Sequence, residues 1–242
     1  MQYLGGKSKI AKWLAAAIRP VRAGRPFWDA FCGGLSCAVA LSEDGPGLAT
    51  DANLALVSLY RAVAAGWDPP ATVSEDEYRA ARDLPDTHPL KAFAGFGCSF
   101  GGKWFAGYAR SKDPTDKRSV LGYAKQARDV VTEDVAMLRE RGVELAHCDF
   151  LAVEPRPIGA VLYLDPPYDG TTKYSATGAF DRARFLARVA AWSRLTDVFV
   201  SEYEMPGRPV LEFAHELQVR GRGRENAQRR ERLYHYHPGA PL

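Results

Sequence analysis

Residues 160–170 read AVLYLDPPYDG. An apolar run with the length of a buried strand ends on the carboxylate of Asp165, and the next two residues are prolines. Each proline fixes φ and removes a backbone donor. The carboxyl end of a strand is where α/β sheets bind their ligands. There the stretch offers acceptors without donors: the oxygens of Asp165 and the carbonyl of Pro166, with Tyr168 adding a flat face. That set fits a planar amino group on an aromatic ring. Two acceptors grip the two N–H bonds, draw the nitrogen toward tetrahedral geometry and free its lone pair to attack an electrophile. The same acceptors stabilise the positive charge that develops on nitrogen. The plainer reading of these residues is a Pro-Pro turn with a solvent-facing aspartate.

Outward from this strand, apolar runs alternate with helical patterns, which predicts parallel βαβ units in an α/β fold. The expected strands are PFWDAF, GLAT, VELAH, AVLYL, DVFVS, HELQV and RLYHYH. The expected helices cover 7–18, 35–43, 53–65, 118–141 and 180–195, the last with Phe185, Val189 and Trp192 on one face. From about 67 to 117 the alternation breaks down in a segment rich in Gly, Pro and Asp, which reads as an inserted subdomain. Trp13, Trp28, Trp67 and Trp192 are expected as core or staple residues, and His235 and His237 as alternating residues of an edge strand, not ligands.

A chain of 242 residues has room for one α/β domain with a small insertion. With 46% hydrophobic and 25% charged residues it is globular rather than disordered. A formal charge of +3 is too small to choose a partner, so its distribution matters more. Cys32, Cys37, Cys98 and Cys148 form no CxxC pair, and no His stands at zinc-site spacing. They suit a cytoplasmic protein with reduced cysteines and no metal. The opening MQYLGGKSKIAKWLAAAIRP mimics a signal peptide, but its apolar run is short and suits an amphipathic helix, and no run is long enough to span a membrane.

Three further strand ends carry chemistry. PFWDAFCGGLSCAVAL is a strand, a turn with Gly33 and Gly34, and a helix. Such a turn brings backbone close to a ligand at a helix N-terminus, or simply packs tightly, and it is not the GxGxxG of dinucleotide sites. Asp51 ends GLATD and is placed to bind ribose hydroxyls, while it or Asn53 caps the next helix. ELAHCDF ends on Asp149 and Phe150, an acceptor for an exocyclic amine and a ring to face adenine, or plain turn chemistry.

Together these residues resemble the S-adenosylmethionine-dependent DNA adenine-N6 methyltransferases of the Dam type, phage-encoded members included, over nearly the whole chain. The resemblance implies a Rossmann-like seven-stranded sheet, helices on both faces and an antiparallel last strand. It implies a catalytic domain over 1–66 and 142–242, interrupted by a target-recognition subdomain over 67–141. YLGGKSKIA implies contacts from Tyr3 and Lys7 to S-adenosylmethionine, and DAFCGGLS implies contacts from Phe31, Gly33 and nearby amides including Gly34. Leu35 stands where the family's FxGxG pattern has its last glycine. Asp51 would hold the ribose, Asp149 with Phe150 the adenine, and Asp165, Pro166 and Tyr168 would be catalytic, Asp165 also facing the cofactor.

The implied partner is double-stranded DNA, met by a monomer in a bacterial or phage-infected cytoplasm, with or without a matching restriction enzyme. In the insertion, Lys103, Arg110, Lys112 and Arg118 can neutralise phosphates, and Trp104, Phe105 or Tyr108 can wedge the duplex where a base leaves. The plainer reading is a small core with solvated charges. The arginines from Arg220 to Arg232 read as a phosphate clamp or a solvated loop. Cytosine N4, RNA adenine and a glutamine amide are competing acceptors for the same motif. A catalytically silent DNA-binding module on this scaffold is the competitor from another class.

Overall fold

The computed structural model describes residues 1–110, 122–152, 159–167, 180–216 and 228–242. The strands are β1 (Phe27–Asp29), β2 (Gly47–Asp51), β3 (Val143–His147), β4 (Val161–Leu164), β5 (Val198–Glu202), β6 (Leu211–Glu216) and β7 (Gln228–Tyr236). They form one seven-stranded sheet in the order β3-β2-β1-β4-β5-β7-β6. The first five are mutually parallel, and β7 runs antiparallel to both β5 and β6. The order reverses between β1 and β4, which opens a crevice at their carboxyl ends.

Side-chain alternation assigns each strand to two cores. On β4, Val161 and Tyr163 enter one core while Leu162 and Leu164 enter the other. On β1, Phe27 and Trp28 divide the same way. All are essentially buried, the signature of a sheet covered on both faces. The first face packs against α1 (Ala11–Arg22), α2 (Ser36–Leu41), α3 (Leu54–Ala64) and α6 (Tyr123–Glu140). Between α3 and α6 lie α4 (Glu75–Ala81), opened by a capping box of Ser74 and Glu77, and the short α5 (Pro89–Ala92). Tyr78, Phe93 and Phe96 from this stretch join the first core. The second face packs against α7 (Arg182–Ser193), where Phe185, Val189 and Trp192 are fully buried as their spacing predicts. Asp181 caps its first turn through the Arg184 amide.

Several expectations shift. The first helix begins at Ala11 rather than 7, because the Lys7 carbonyl receives the amides of Ile10 and Ala11 in a separate turn. It then runs past Pro20 to Arg22, whose buried guanidinium donates to the carbonyls of Arg25, Leu41 and Pro46. Those three bonds hold the last turn despite the bond that the proline removes. The sixth strand begins at Leu211, ahead of the expected 215–219, of which 217–219 lie outside the described residues, and the fourth expected helix starts at Tyr123 within the described residues. Trp28 and Trp192 are core residues and Trp67 packs on Phe93, but Trp13 is 67% exposed, on the face of α1 opposite Leu14 and Ile18. His235 lies on β7, inside the sheet rather than at its edge, stacked on Phe199 and bonded to Asp197 at 2.8 Å.

Candidate active site

The crevice begins with the turn after β1. The Cys32 amide donates to Thr50 on β2, and the Leu35 amide closes the turn on Cys32. Gly33 has φ +42°, and Leu35 has φ +67° at the mouth of α2. Leu35 therefore replaces a glycine in sequence but keeps the backbone a glycine would favour, at a cost of about 1–2 kcal/mol. Its side chain is 1% exposed, and the burial offsets the strain. A Cβ at Gly33 or Gly34 would lie 2.9 Å from the side chain of Tyr3, so both glycines let Tyr3 lie against the turn. The Tyr60 hydroxyl donates to the Gly33 carbonyl at 2.5 Å and fixes the turn from below.

Acids stand at the ends of four adjacent strands. Asp51 accepts the Gly33 amide at 3.0 Å and the Asn53 amide at 2.8 Å, and Asn53 in turn caps α3 through the Leu56 amide. Of the two capping candidates Asn53 caps, and Asp51 ties the turn. A carboxylate has lone pairs beyond those two bonds for ribose hydroxyls. Burial pushes the Asp51 carboxyl up, against the two amide bonds. Asp149 is exposed and turns its own loop by accepting the Leu151 amide at 2.9 Å.

Asp29, at the end of β1, was not singled out from the sequence. It is 1% exposed, and one oxygen accepts the Phe31 amide at 3.3 Å. Its other oxygen is buried with no hydrogen-bond partner among the described residues. Burial first, and the nearby charge of Asp165 second, push its carboxyl well above the usual range. The available signal was its position: an acid closing a fully buried strand, two residues before the aromatic of the turn.

Asp165 follows β4, and Lys7 reaches it across the sheet: Nζ lies 2.8 Å from Asp165 Oδ2, 3.4 Å from Glu231 Oε1 on β7, and 3.1 Å from the Gly5 carbonyl. Burial alone would lower the lysine's pKa, but Asp165 and Glu231 outweigh it and hold Lys7 charged. Pro166 is buried, and Tyr168 lies outside the described residues. Behind Asp165, the Tyr163 hydroxyl shares a hydrogen bond with Ser201 at 2.9 Å and accepts from the Cys37 thiol at 3.5 Å. Phe31 and Phe150 form an aromatic wall with centroids 5.0 Å apart, joined by Phe180 from the start of α7. Phe180 was another residue the sequence reading passed over.

The candidate DNA contacts divide. Lys103 is exposed, and Arg110 is exposed but paired with Glu75. Trp104 packs on Phe96 and Phe105, and the Tyr108 hydroxyl donates to the Val73 carbonyl at 2.6 Å. With Phe105 only 9% exposed and Trp104 and Tyr108 half-buried, these three rings pack on one another and their neighbours. The solvent-facing ring is Phe100, 61% exposed beside Gly101 and Gly102 at the tip of a tight hairpin. Gly102 accepts the Leu4 amide at 3.1 Å, which pins that tip to the segment carrying Tyr3 and Lys7. Lys112 and Arg118 lie outside the described residues, as do Arg220, Arg222 and Arg224. Arg230 and Arg232 both pair with Glu212 across the β6–β7 hairpin.

Among the described residues no group of three or more His, Cys, Asp or Glu can hold a metal, and no helix is long and apolar enough to cross a membrane. No curated protein matches the sequence. Among solved structures, the rRNA methyltransferase AviRa of Streptomyces viridochromogenes is 14% identical, with 93% of this chain and 84% of that one covered and a TM-score of 0.35. A Pyrococcus horikoshii protein provisionally described as an RNA methyltransferase is 10% identical, with 94% and 80% covered and a TM-score of 0.43. Overlaps this loose carry no argument about the target. Residues 3–83 match the D12 class of N6 adenine-specific DNA methyltransferases. That span contains Tyr3, Lys7, Asp29, the glycine turn and Asp51. The match to the N6 adenine-specific DNA methyltransferases is carried by the first third of the chain.

Proposed function

We propose that the protein methylates N6 of adenine in double-stranded DNA, on a base turned out of the duplex into the crevice between β1 and β4. The observation that carries the reading is Asp165, held by Lys7 at the strand-order reversal and followed by two residues that cannot donate. Asp165 and the Pro166 carbonyl accept the two N6–H bonds. They stabilise the positive charge that grows on nitrogen, and the proton that N6 loses leaves by way of Asp165 to solvent. Tyr168 would stack on the base.

The cofactor side fits its ligand by an independent observation. The unpartnered buried oxygen of Asp29 calls for a cationic donor, and an amino-acid ammonium is one. Asp51 suits the ribose, Asp149 and Phe150 the adenine ring of the cofactor, and Tyr3, Phe31, Gly33 and Gly34 line the approach. When bound, S-adenosylmethionine supplies an electrophilic methyl group. No catalytic cysteine is required, because an amine already carries the attacking lone pair.

We assign residues 67–141 to target recognition, with Lys103, Arg110, Lys112 and Arg118 for phosphates. Phe100 replaces Trp104 and Tyr108 as the ring that meets the base stack, because it alone of the hairpin aromatics faces solvent. The test is transfer of labelled methyl from S-adenosylmethionine to duplex DNA, single-stranded DNA and RNA, followed by nucleoside analysis. N6-methyladenine from duplex DNA is the expected product. N4-methylcytosine, or label in RNA alone, would replace this reading with another acceptor.

A further inference from the structure

We infer that Glu231 is a positioning residue for the methyl transfer, acting on Asp165 through Lys7; the inference rests on the proposed catalytic role of Asp165. On β7 strand alternation puts Glu231 on the same face as Leu233, fully buried in the first core, and His235, stacked on Phe199. Glu231 thus places a carboxylate in an apolar stripe, 5% exposed, where burying a charge is costly. The charge it meets is Lys7, at 3.4 Å, itself 7% exposed. Strand β5 separates β7 from β4, so the lysine bridges two non-neighbouring strands.

The chemistry explains why a second carboxylate is useful. A lysine ammonium 2.8 Å from Asp165, unshared, would cancel much of the negative charge that the adenine amine needs as it becomes positive. Glu231 draws part of that ammonium toward β7. The three charges then sum to one negative rather than zero, and Lys7 is held on the Oδ2 side of Asp165. Glu231 touches neither substrate nor cofactor in this account. Its effect appears in the rate of the chemical step and not in cofactor affinity.

The experiment measures kcat and the KM for S-adenosylmethionine on duplex DNA for the wild type, Glu231→Gln, Glu231→Asp, Lys7→Met and the double variant Lys7→Met/Glu231→Gln. The expected result is a kcat lowered about 10- to 100-fold in Glu231→Gln, the scale of a misplaced reacting group. KM should stay within about twofold, and Glu231→Asp, which keeps the charge, should recover part of the rate. Adding Glu231→Gln to Lys7→Met should cost nothing further, because the path runs through the lysine. Wild-type kcat in Glu231→Gln, a raised KM with kcat unchanged, or fully additive losses would overturn the inference. If Glu231→Gln does not fold, Glu231→Leu, which suits the buried face and removes the charge, decides: lowered kcat at constant KM supports the inference, and unchanged kcat or a loss confined to KM overturns it. A wild type that methylates no adenine would instead overturn the reading of function.

Discussion

The carboxyl edge of the sheet and the hairpin at 98–109 meet at the N-terminal segment, through the bond from Leu4 to Gly102, yet they are built on opposite plans. At the sheet edge, regular strands stop on acids, and each acid is fixed by what stands beside it: amides for Asp51, a lysine for Asp165, one amide for Asp29. In the hairpin, regularity is lost and aromatic packing takes its place, with Trp104, Phe105 and Tyr108 turned inward and Phe100 left outside. The sheet edge is where the backbone places the chemistry. The hairpin is where side chains compete for one small core, and Phe100 is the ring left at the surface.

The comparison can be broken first at the edge. Asp165→Ala should lower kcat by about 10³-fold or more, since it removes the acceptor that matches the growing charge. The melting temperature should change little, because Glu231 still holds Lys7. A variant within tenfold of wild type would remove Asp165 from the chemistry.

Next, the hairpin rings can be set against each other. Trp104→Ala should destabilise the fold by about 2–3 kcal/mol, below the cost of a fully buried ring. Phe100→Ala should leave stability within about 0.5 kcal/mol. It should weaken duplex binding about tenfold, the worth of one stacked ring. Denaturant melts and a fluorescence titration with duplex DNA check both, and a reversed pattern would reverse the assignment of inside and outside.

Asp29 sharpens the edge further. Asp29→Asn should weaken S-adenosylmethionine binding about tenfold or more by calorimetry, the worth of a charged hydrogen bond. It should also raise the melting temperature of the free protein. The sign follows from its raised carboxyl pKa: the folded state holds that proton more tightly than the unfolded chain does. Asp29 therefore withdraws stability as pH climbs above the ordinary carboxylate value toward its own, and an amide has no such loss. Cofactor affinity should fall as pH drops and Asp29 protonates, and the Asn variant should lose that part of the dependence. The smallest effect is at Leu35. Leu35→Gly relieves about 1 kcal/mol of left-handed strain but deletes a buried side chain worth more, so a net loss of about 1–2 kcal/mol is expected in denaturant melts.

Legibility in the sequence followed the same division. The sheet, its strand ends and α7 were readable because burial on both faces makes apolar runs, and an acid that closes such a run stands out against it. Asp51, Asp149 and Asp165 were singled out that way. Asp29 was missed because the strand expected there, PFWDAF, runs past it, and Glu231 because it is a single acid within a strand that only neighbours distant in sequence make unusual. Glu231 meets Lys7 across 224 positions that no local pattern spans. The hairpin aromatics were named as a group, since composition alone does not distinguish a ring that packs from one that faces solvent. Trp13 misled for the same reason: it sits one position off the buried stripe of α1.

The most direct test of the central claim is nucleoside mass spectrometry on DNA from a host lacking its own adenine methylation, expressing either the wild-type chain or Asp165→Ala. The expected result is N6-methyladenine with the wild type and none above background with the variant. Soluble, folded wild-type protein with no N6-methyladenine in the host DNA, or equal methylation by the two chains, would contradict it.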